Sequence, residues 1–360
     1  MNNKNYNSGR IRIERARRSR YIASSFINDS SKSSIAIVAS ILALVLIVCS
    51  FFIAFRDQFS LPVLNFPNID ITLPSEGKDP NHTYVATEGG KGMYHMDLSS
   101  QYAILVNLSD MTTIAHKYAD EKIFPASMTK VMTVVTALDL IENLDEKYII
   151  TREVLNKIPS EASTAWLSNC IGSEVSVRDL LYGISYMSGA DSVICIIDYL
   201  GLTKEEFVAL MNAKALEIGL QNTNFGGAIG MDDEFNQTTC RDIAAIMAYA
   251  MQNPLCVELF GGLAYKLDHA DMTYYNSTLS KTLNNIGLKP ETVLGEDYTL
   301  IAAKSGLEDD AGYCLVSYIR NDNTGEYFVL VTAKASRSDA YPPNKNTILD
   351  MQEIFDTFAP

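Results

Sequence analysis

Residues Ile35 to Phe55, IAIVASILALVLIVCSFFIAF, form an uncharged run of 21 residues in which only Ser40 and Ser50 are polar. As a helix rising about 1.5 Å per residue, such a run matches a hydrocarbon layer of roughly 30 Å. The 34 residues before it hold Lys4, Arg10, Arg12, Arg15, Arg17, Arg18, Arg20 and Lys32 against only Glu14 and Asp29. Positive charge stays on the cytoplasmic side, so the expectation is one transmembrane anchor with its N-terminus in the cytoplasm. A cleaved signal peptide has a shorter apolar core, about 7 to 15 residues, followed by small residues. Here the run ends in Ile53-Ala-Phe-Arg56, and Val48 precedes Cys49 where a lipoprotein site wants a small residue.

The anchor also divides the charge. Beyond residue 34 there remain 21 basic and 41 acidic residues, a net charge of −20 against −14 for the whole chain. A part this acidic lacks the clustered Lys and Arg that nucleic acid requires, so no nucleic-acid partner is expected. Beyond Cys49 there are five cysteines, Cys170, Cys195, Cys240, Cys256 and Cys314, an odd number without a C-x-x-C pair. They make neither a disulfide framework nor a zinc site. His82, His95, His116 and His269 are scattered without metal-ligand spacing, so no metal is expected.

From Arg56 to about Gly92 the chain carries Pro62, Pro67, Pro74 and Pro80 and ends in Glu88-Gly-Gly-Lys-Gly92, which reads as an extended spacer. The domain limits expected are therefore a basic tail at 1–34, an anchor at 35–55, a linker at 56–92 and a globular domain at 93–360. In that domain YAILVNL and TTIAHKYA read as strands joined at Ser109-Asp-Met. A helical pattern from Ser127 through Ile141 places Val131, Val134, Val135, Leu138 and Ile141 at spacings of three and four. Helical periodicity then dominates from about Ser176 to Asn253. The end changes character, with LIAAKSG, GYCLVSYIR and EYFVLVTAKA as strands, the last two joined through Asn321-Asp-Asn-Thr-Gly325. A helix from Asn346 to Phe358 closes the chain. Strands from both ends with helices between them predict an α+β fold: one antiparallel sheet flanked by helices, with an inserted, mostly helical lobe.

The stretch FPASMTKVMTVVTAL sets Ser127 and Lys130 three residues apart at the start of a helix, on one face. A serine hydroxyl is a weak nucleophile at neutral pH and needs an adjacent base. A lysine with its ammonium disfavoured by burial can be that base. The plainer alternative is an N-cap serine with a solvated lysine in the first turn. Ser75 and Lys78 share the spacing, but Gly77 and the surrounding prolines leave no helix to align them. Two further pieces follow Ser127 in order. Tyr186-Met-Ser-Gly-Ala-Asp191 stands at the end of a helical pattern, and LIAAKSG ends in Lys304-Ser305-Gly306, a cation, a hydroxyl and a residue with no side chain to block a ligand along the strand.

Ser-x-x-Lys, then Ser-x-Asn, then Lys-Thr-Gly is the order found in penicillin-binding proteins and serine β-lactamases. From about Tyr102 to Phe358 the chain resembles the serine D-alanyl-D-alanine carboxypeptidases, the low-molecular-weight penicillin-binding proteins. The resemblance rests on PASMTKVMTVVTAL, SVRDLLYGISYMSGAD, FVALMNAKALEIGLQNTNF and AAKSGLEDDAGYCLVSY. It implies a penicillin-binding, β-lactamase-like fold and a substrate that is a peptidoglycan stem peptide ending in D-Ala-D-Ala, with β-lactams as inhibitors and no cofactor. It implies Ser127 as acyl-enzyme nucleophile, Lys130 as proton acceptor and Ser188 as proton relay. Lys304, Ser305 and Gly306 would hold the substrate, and the N–H groups of Ser127 and Leu307 would form the oxyanion hole. Arg337 is a candidate second ligand for the carboxylate, or else a surface arginine after a strand.

Two positions depart from the pattern. Ser305 replaces threonine and keeps the hydroxyl. Ala190 replaces asparagine and removes an amide able to donate to a substrate carbonyl. Losing one positioned donor slows a reaction by roughly 10² to 10³ when nothing replaces it. A weak or non-catalytic module that binds stem peptides, and a β-lactamase, therefore share the motif order with a membrane-anchored carboxypeptidase of the bacterial cell surface.

Overall fold

The computed structural model describes residues 83–231, 234–268 and 271–359. The expected basic tail and anchor, and the spacer up to residue 82, lie outside the described residues. Among the described residues no single helix is long and apolar enough to cross a membrane.

In chain order the strands are β1 (Lys91–Gly92), β2 (Tyr102–Asn107), β3 (Thr112–Lys117), β4 (Lys147–Ile149), β5 (Glu174–Ser176), β6 (Ala264–Lys266), β7 (Thr273–Tyr275), β8 (Tyr298–Glu308), β9 (Gly312–Asn321) and β10 (Tyr327–Ala335). The main sheet has the order β1-β3-β2-β10-β9-β8, while β4-β5 and β6-β7 are separate ribbons. The longer helices are α1 (Thr129–Leu138), α2 (Val177–Met187), α3 (Ala190–Tyr199), α4 (Lys204–Ile218), α5 (Cys240–Ala250), α6 (Pro254–Gly261) and α7 (Lys345–Phe358).

Side-chain alternation builds two cores, one on each face of the sheet. Along β10, Val329, Val331 and Ala333 join the larger core with the helical lobe, while Phe328 and Leu330 join the smaller one beneath α7. On β2, Ile104 and Val106 face the lobe, and Ala103 and Leu105 face α7. A strand's period of two places alternate residues on opposite faces, and both faces here are covered. Each fully buried aliphatic or aromatic side chain contributes about 1.5–3 kcal/mol, so neither cover is dispensable.

Two expectations change at the entry to the domain. The sheet is mixed, because β1 pairs parallel with β3. The chain reverses once into β2 and again into β3, so a strand before β2 that lies outside β3 must run with it. A two-residue strand carries no periodicity by which the sequence could reveal it. The expected spacer also joins the fold before its end, since Tyr84 and Ala86 are buried in the larger core. Arg241 donates to the carbonyls of Ala86 and Thr87 and to Asp120, fastening this entry strap. Gly90, with φ +92°, lies so close to β3 that a Cβ would stand 2.6 Å from the Thr113 carbonyl oxygen. Its glycine serves close packing there rather than flexibility.

The helical lobe has clear local causes. Ser176 and Asp179 form a capping box at the start of α2, and Thr203 and Glu206 form another at α4. Helix α1 stops at Leu138, one turn before the expected Ile141, and a short 3₁₀ turn, Ala126–Met128, precedes it. All five cysteines beyond Cys49 are free thiols and buried.

Candidate active site

The site forms where the 3₁₀ turn before α1 meets β8, the unpaired edge of the main sheet. Ser127 lies in that turn and is held between two glycines. A Cβ on Gly306 would stand 2.9 Å from Ala126 Cβ and 3.1 Å from Ser127 N, and one on Gly230 would stand 2.1 Å from Ala126 O. Ala126 itself is left-handed, with φ +46°. Any side chain at Gly306 would push the edge of β8 away from the serine, so its glycine sets the distance between the two elements. The first N–H groups of a helix have no intrahelical partner; in this turn the Met128 N–H is taken by the Pro125 carbonyl at 3.1 Å.

Lys130 follows one turn later and is 2% exposed. Its Nζ donates to Ser127 Oγ at 3.0 Å and to the Ile229 carbonyl at 2.5 Å. Burial pushes the Lys130 ammonium down to about 8, against the opposing pull of the Glu308 and Asp191 carboxylates. Among the described residues it makes no ion pair. A lysine this close to neutrality is able to hold or release a proton at the Ser127 hydroxyl.

Ser188 caps α2 in the left-handed conformation, φ 56° and ψ 30°. That cap turns the chain, so that Lys304 on β8 donates from Nζ to Ser188 Oγ at 3.1 Å. A second bond from Lys304 reaches its neighbour's carbonyl, Ser305 O, at 2.7 Å. Lys304 is 1% exposed, and burial, then the charge of Lys130, push its ammonium well below the ordinary lysine value. The charge of Lys130 thus opposes protonation of Lys304, an arrangement that an anionic ligand would relieve. The Ser305 hydroxyl accepts from Thr278 Oγ1 at 3.0 Å, and Leu307 is exposed next to Gly306.

The structure therefore brings Ser127, Lys130, Ser188, Lys304, Ser305, Gly306 and Leu307 to one place. Arg337 makes no hydrogen bond to them among the described residues; it lies exposed two residues beyond β10, whose Ala335 aligns with Leu307 across β9. Asp191, next to Ala190, is turned to the backbone of a neighbouring segment. Its buried carboxylate accepts the N–H of Ala165 at 2.7 Å, of Leu167 at 3.0 Å and of Ser192 at 2.9 Å. Ala190 is buried, and its N–H binds the Ser163 carbonyl at 2.8 Å.

Sequence reasoning missed Thr278, the Ile229 carbonyl and the segment from Ser163 to Leu167. Thr278 sits in a π turn, Ser277–Thr282, whose backbone period no apolar pattern announces. A carbonyl acceptor such as Ile229 O leaves no trace in residue type at all.

A model of the peptidase S11, D-alanyl-D-alanine carboxypeptidase, family matches residues 90–335 and so stops just before Arg337. The chain is 28% identical over 242 residues to D-alanyl-D-alanine carboxypeptidase DacF of Bacillus subtilis, covering 66% of this chain and 58% of that protein. It is 31% identical over 217 residues to the D-alanyl-D-alanine carboxypeptidase of Streptomyces sp. strain K15, covering 57% of this chain and 71% of that one. The match with Escherichia coli DacC, 31% identical, spans 56% of this chain and 52% of that protein, so little more than half of some relatives is represented. In three dimensions the crystal structure of the Streptomyces K15 DD-transpeptidase superposes with a TM-score of 0.61 at 25% identity, over 72% of this chain and 98% of that one. With a serine–lysine pair facing a second lysine across a sheet edge, and a family model spanning 90–335, the chain belongs to the peptidase S11, D-alanyl-D-alanine carboxypeptidase, family.

Proposed function

We propose that this chain is a serine D-Ala-D-Ala carboxypeptidase, held outside a bacterial cytoplasmic membrane by the segment at 35–55 and trimming peptidoglycan stem peptides. The observation that carries the reading is the Lys130 amine, buried and 3.0 Å from Ser127 Oγ. In this reading the terminal carboxylate of the peptide lies by Lys304 and Ser305 and restores the charge that burial disfavours on Lys304. Ser127 Oγ bonds to the carbonyl carbon of the penultimate D-alanine while Lys130 Nζ takes its proton. The N–H groups of Ser127 and Leu307 stabilise the oxyanion. The C–N bond then breaks, and D-alanine leaves with a proton delivered through Ser188. Water attacks the ester, restoring Ser127 and releasing the shortened peptide. β-Lactams would acylate the same oxygen.

D-alanine release from a pentapeptide by the full-length protein tests this, with Ser127→Ala as the blank. No release above the blank would remove the hydrolase reading. A second reading, a module that binds stem peptides and hydrolyses them slowly, is favoured by Ala190. Ala190→Asn separates the two, since restoring the amide raises release toward a rate about 10² higher if its loss is what limits turnover.

A further inference from the structure

Trp166 is the single tryptophan of the chain and is 57% exposed. Its backbone is left-handed, φ 64° and ψ 25°, a region that a bulky side chain occupies only when its surroundings impose it. The surroundings here are specific. Asp191, 1% exposed, accepts the N–H of both residues that flank Trp166, Ala165 and Leu167. Tyr274, also 1% exposed, donates its hydroxyl to the Ala165 carbonyl at 3.0 Å. A buried carboxylate and a buried phenol are thus used to hold an exposed indole in a strained turn. An unpaired carboxylate is among the least favourable groups to bury, so this clamp is not a default of packing.

The clamped turn lies against the second motif. A Cβ on Gly189 would stand 2.7 Å from Ala165 Cβ and 2.9 Å from Ala165 N, and Ala190 N–H binds the Ser163 carbonyl. Gly189 follows Ser188, whose hydroxyl meets Lys304. Trp166 therefore belongs to a turn packed on the second motif, one residue from the Ala165 that touches Gly189.

We propose that Trp166 is a substrate-contact residue, its indole forming an apolar wall for the acyl-side chain of a D-alanyl-D-alanine peptide, and that Asp191 is the positioning residue that sets it. This rests on the carboxypeptidase reading and deepens it: the wall orients the peptide where Ala190 lacks a donor. An indole face presents large, rigid contact area with little rotamer entropy to lose, which suits it to replace one missing hydrogen bond.

Full-length Ser127→Ala protein, which binds without forming an ester, is titrated with an N-acylated tripeptide ending in D-alanyl-D-alanine while tryptophan emission is recorded. The expected result is a saturable blue shift, with Kd by calorimetry about tenfold weaker when Trp166→Ala is added and within about threefold when Trp166→Phe is added. Asp191→Asn lowers emission anisotropy and weakens binding, and combining it with Trp166→Ala weakens binding no further than Trp166→Ala alone. Unchanged emission at calorimetric saturation, or an unchanged Kd in Trp166→Ala, overturns the proposal. Binding with the shift but no D-alanine release by the unsubstituted protein leaves the wall standing and removes the hydrolase reading. No heat of binding at all removes both.

Discussion

Lys130 and Lys214 are both buried on helices of the same domain, at 2% and 3% exposure, yet their ammonium groups are shifted in opposite directions. Burial alone pushes both ammonium groups down. At Lys214, the ion pair with Asp139, at 2.8 Å, and the hydrogen bond to Glu217 outweigh burial and lift the group above its ordinary value. At Lys130 the bonded partners are a hydroxyl and a carbonyl, and the carboxylates of Glu308 and Asp191 act only at a distance. Lys214 is thereby fixed as a cation that ties α1 to α4. Lys130 is left beside Ser127 with its ammonium pushed down to about 8. What separates a structural lysine from a reactive one in this fold is the carboxylate at its side, not the depth of its burial.

Replacing Lys130 breaks that comparison most severely. Lys130→Met should lower D-alanine release by about 10³-fold or more, because the serine loses its base. The same variant should be more stable than the natural protein at pH 7. The folded Lys130 has its pKa below the unfolded value of 10.5, so its penalty is complete below about 8 and disappears as pH rises from 8 to 10.5. Over that interval the natural protein should gain on the order of 3 kcal/mol relative to Lys130→Met, less whatever the unsatisfied Ile229 carbonyl removes. Denaturant unfolding of both proteins at pH 7 and pH 10 measures this, and parallel stabilities would show that the folded Lys130 still carries its charge at pH 10.

The pH profile of acylation sharpens the contrast. With Lys130 at about 8, the rate of penicillin acylation should fall tenfold for each unit of pH below that value and level off above it. A rate flat from pH 5 to 9 would assign the base to another group. Lys214→Met should do the reverse of Lys130→Met, leaving acylation per folded molecule unchanged while removing about 1–2 kcal/mol of stability. The estimate is small because Asp139 and Glu217 keep side-chain exposures of 23% and 40%, where solvent screens the pair. This stabilisation is complete below the unfolded value of 10.5 and is lost as pH rises through the higher folded value.

Much of the site was legible because its parts are residue types at short spacing. Ser127 and Lys130 are one helical turn apart, and Lys304, Ser305 and Gly306 end an apolar strand, and the order of the three motifs with the resemblance it carries singled them out. The sheet was legible in β2, β3, β8, β9 and β10 as short runs of strand-forming residues bounded by turns. What remained hidden depends on contacts distant in sequence. Asp191 gains its role only from N–H groups 24 and 26 residues earlier, and Thr278 meets Ser305 across 27 residues. Gly90 looked like part of a spacer and is a contact point with β3.

The central claim is that Ser127 is the nucleophile and the buried Lys130 amine its base. Mass spectrometry of the full-length protein after penicillin treatment tests it most directly. One covalent penicilloyl adduct on the peptide that contains Ser127, absent from Ser127→Ala and slowed by about 10³ or more in Lys130→Met, is the predicted result. An unmodified protein, or an adduct on any other residue, would contradict it.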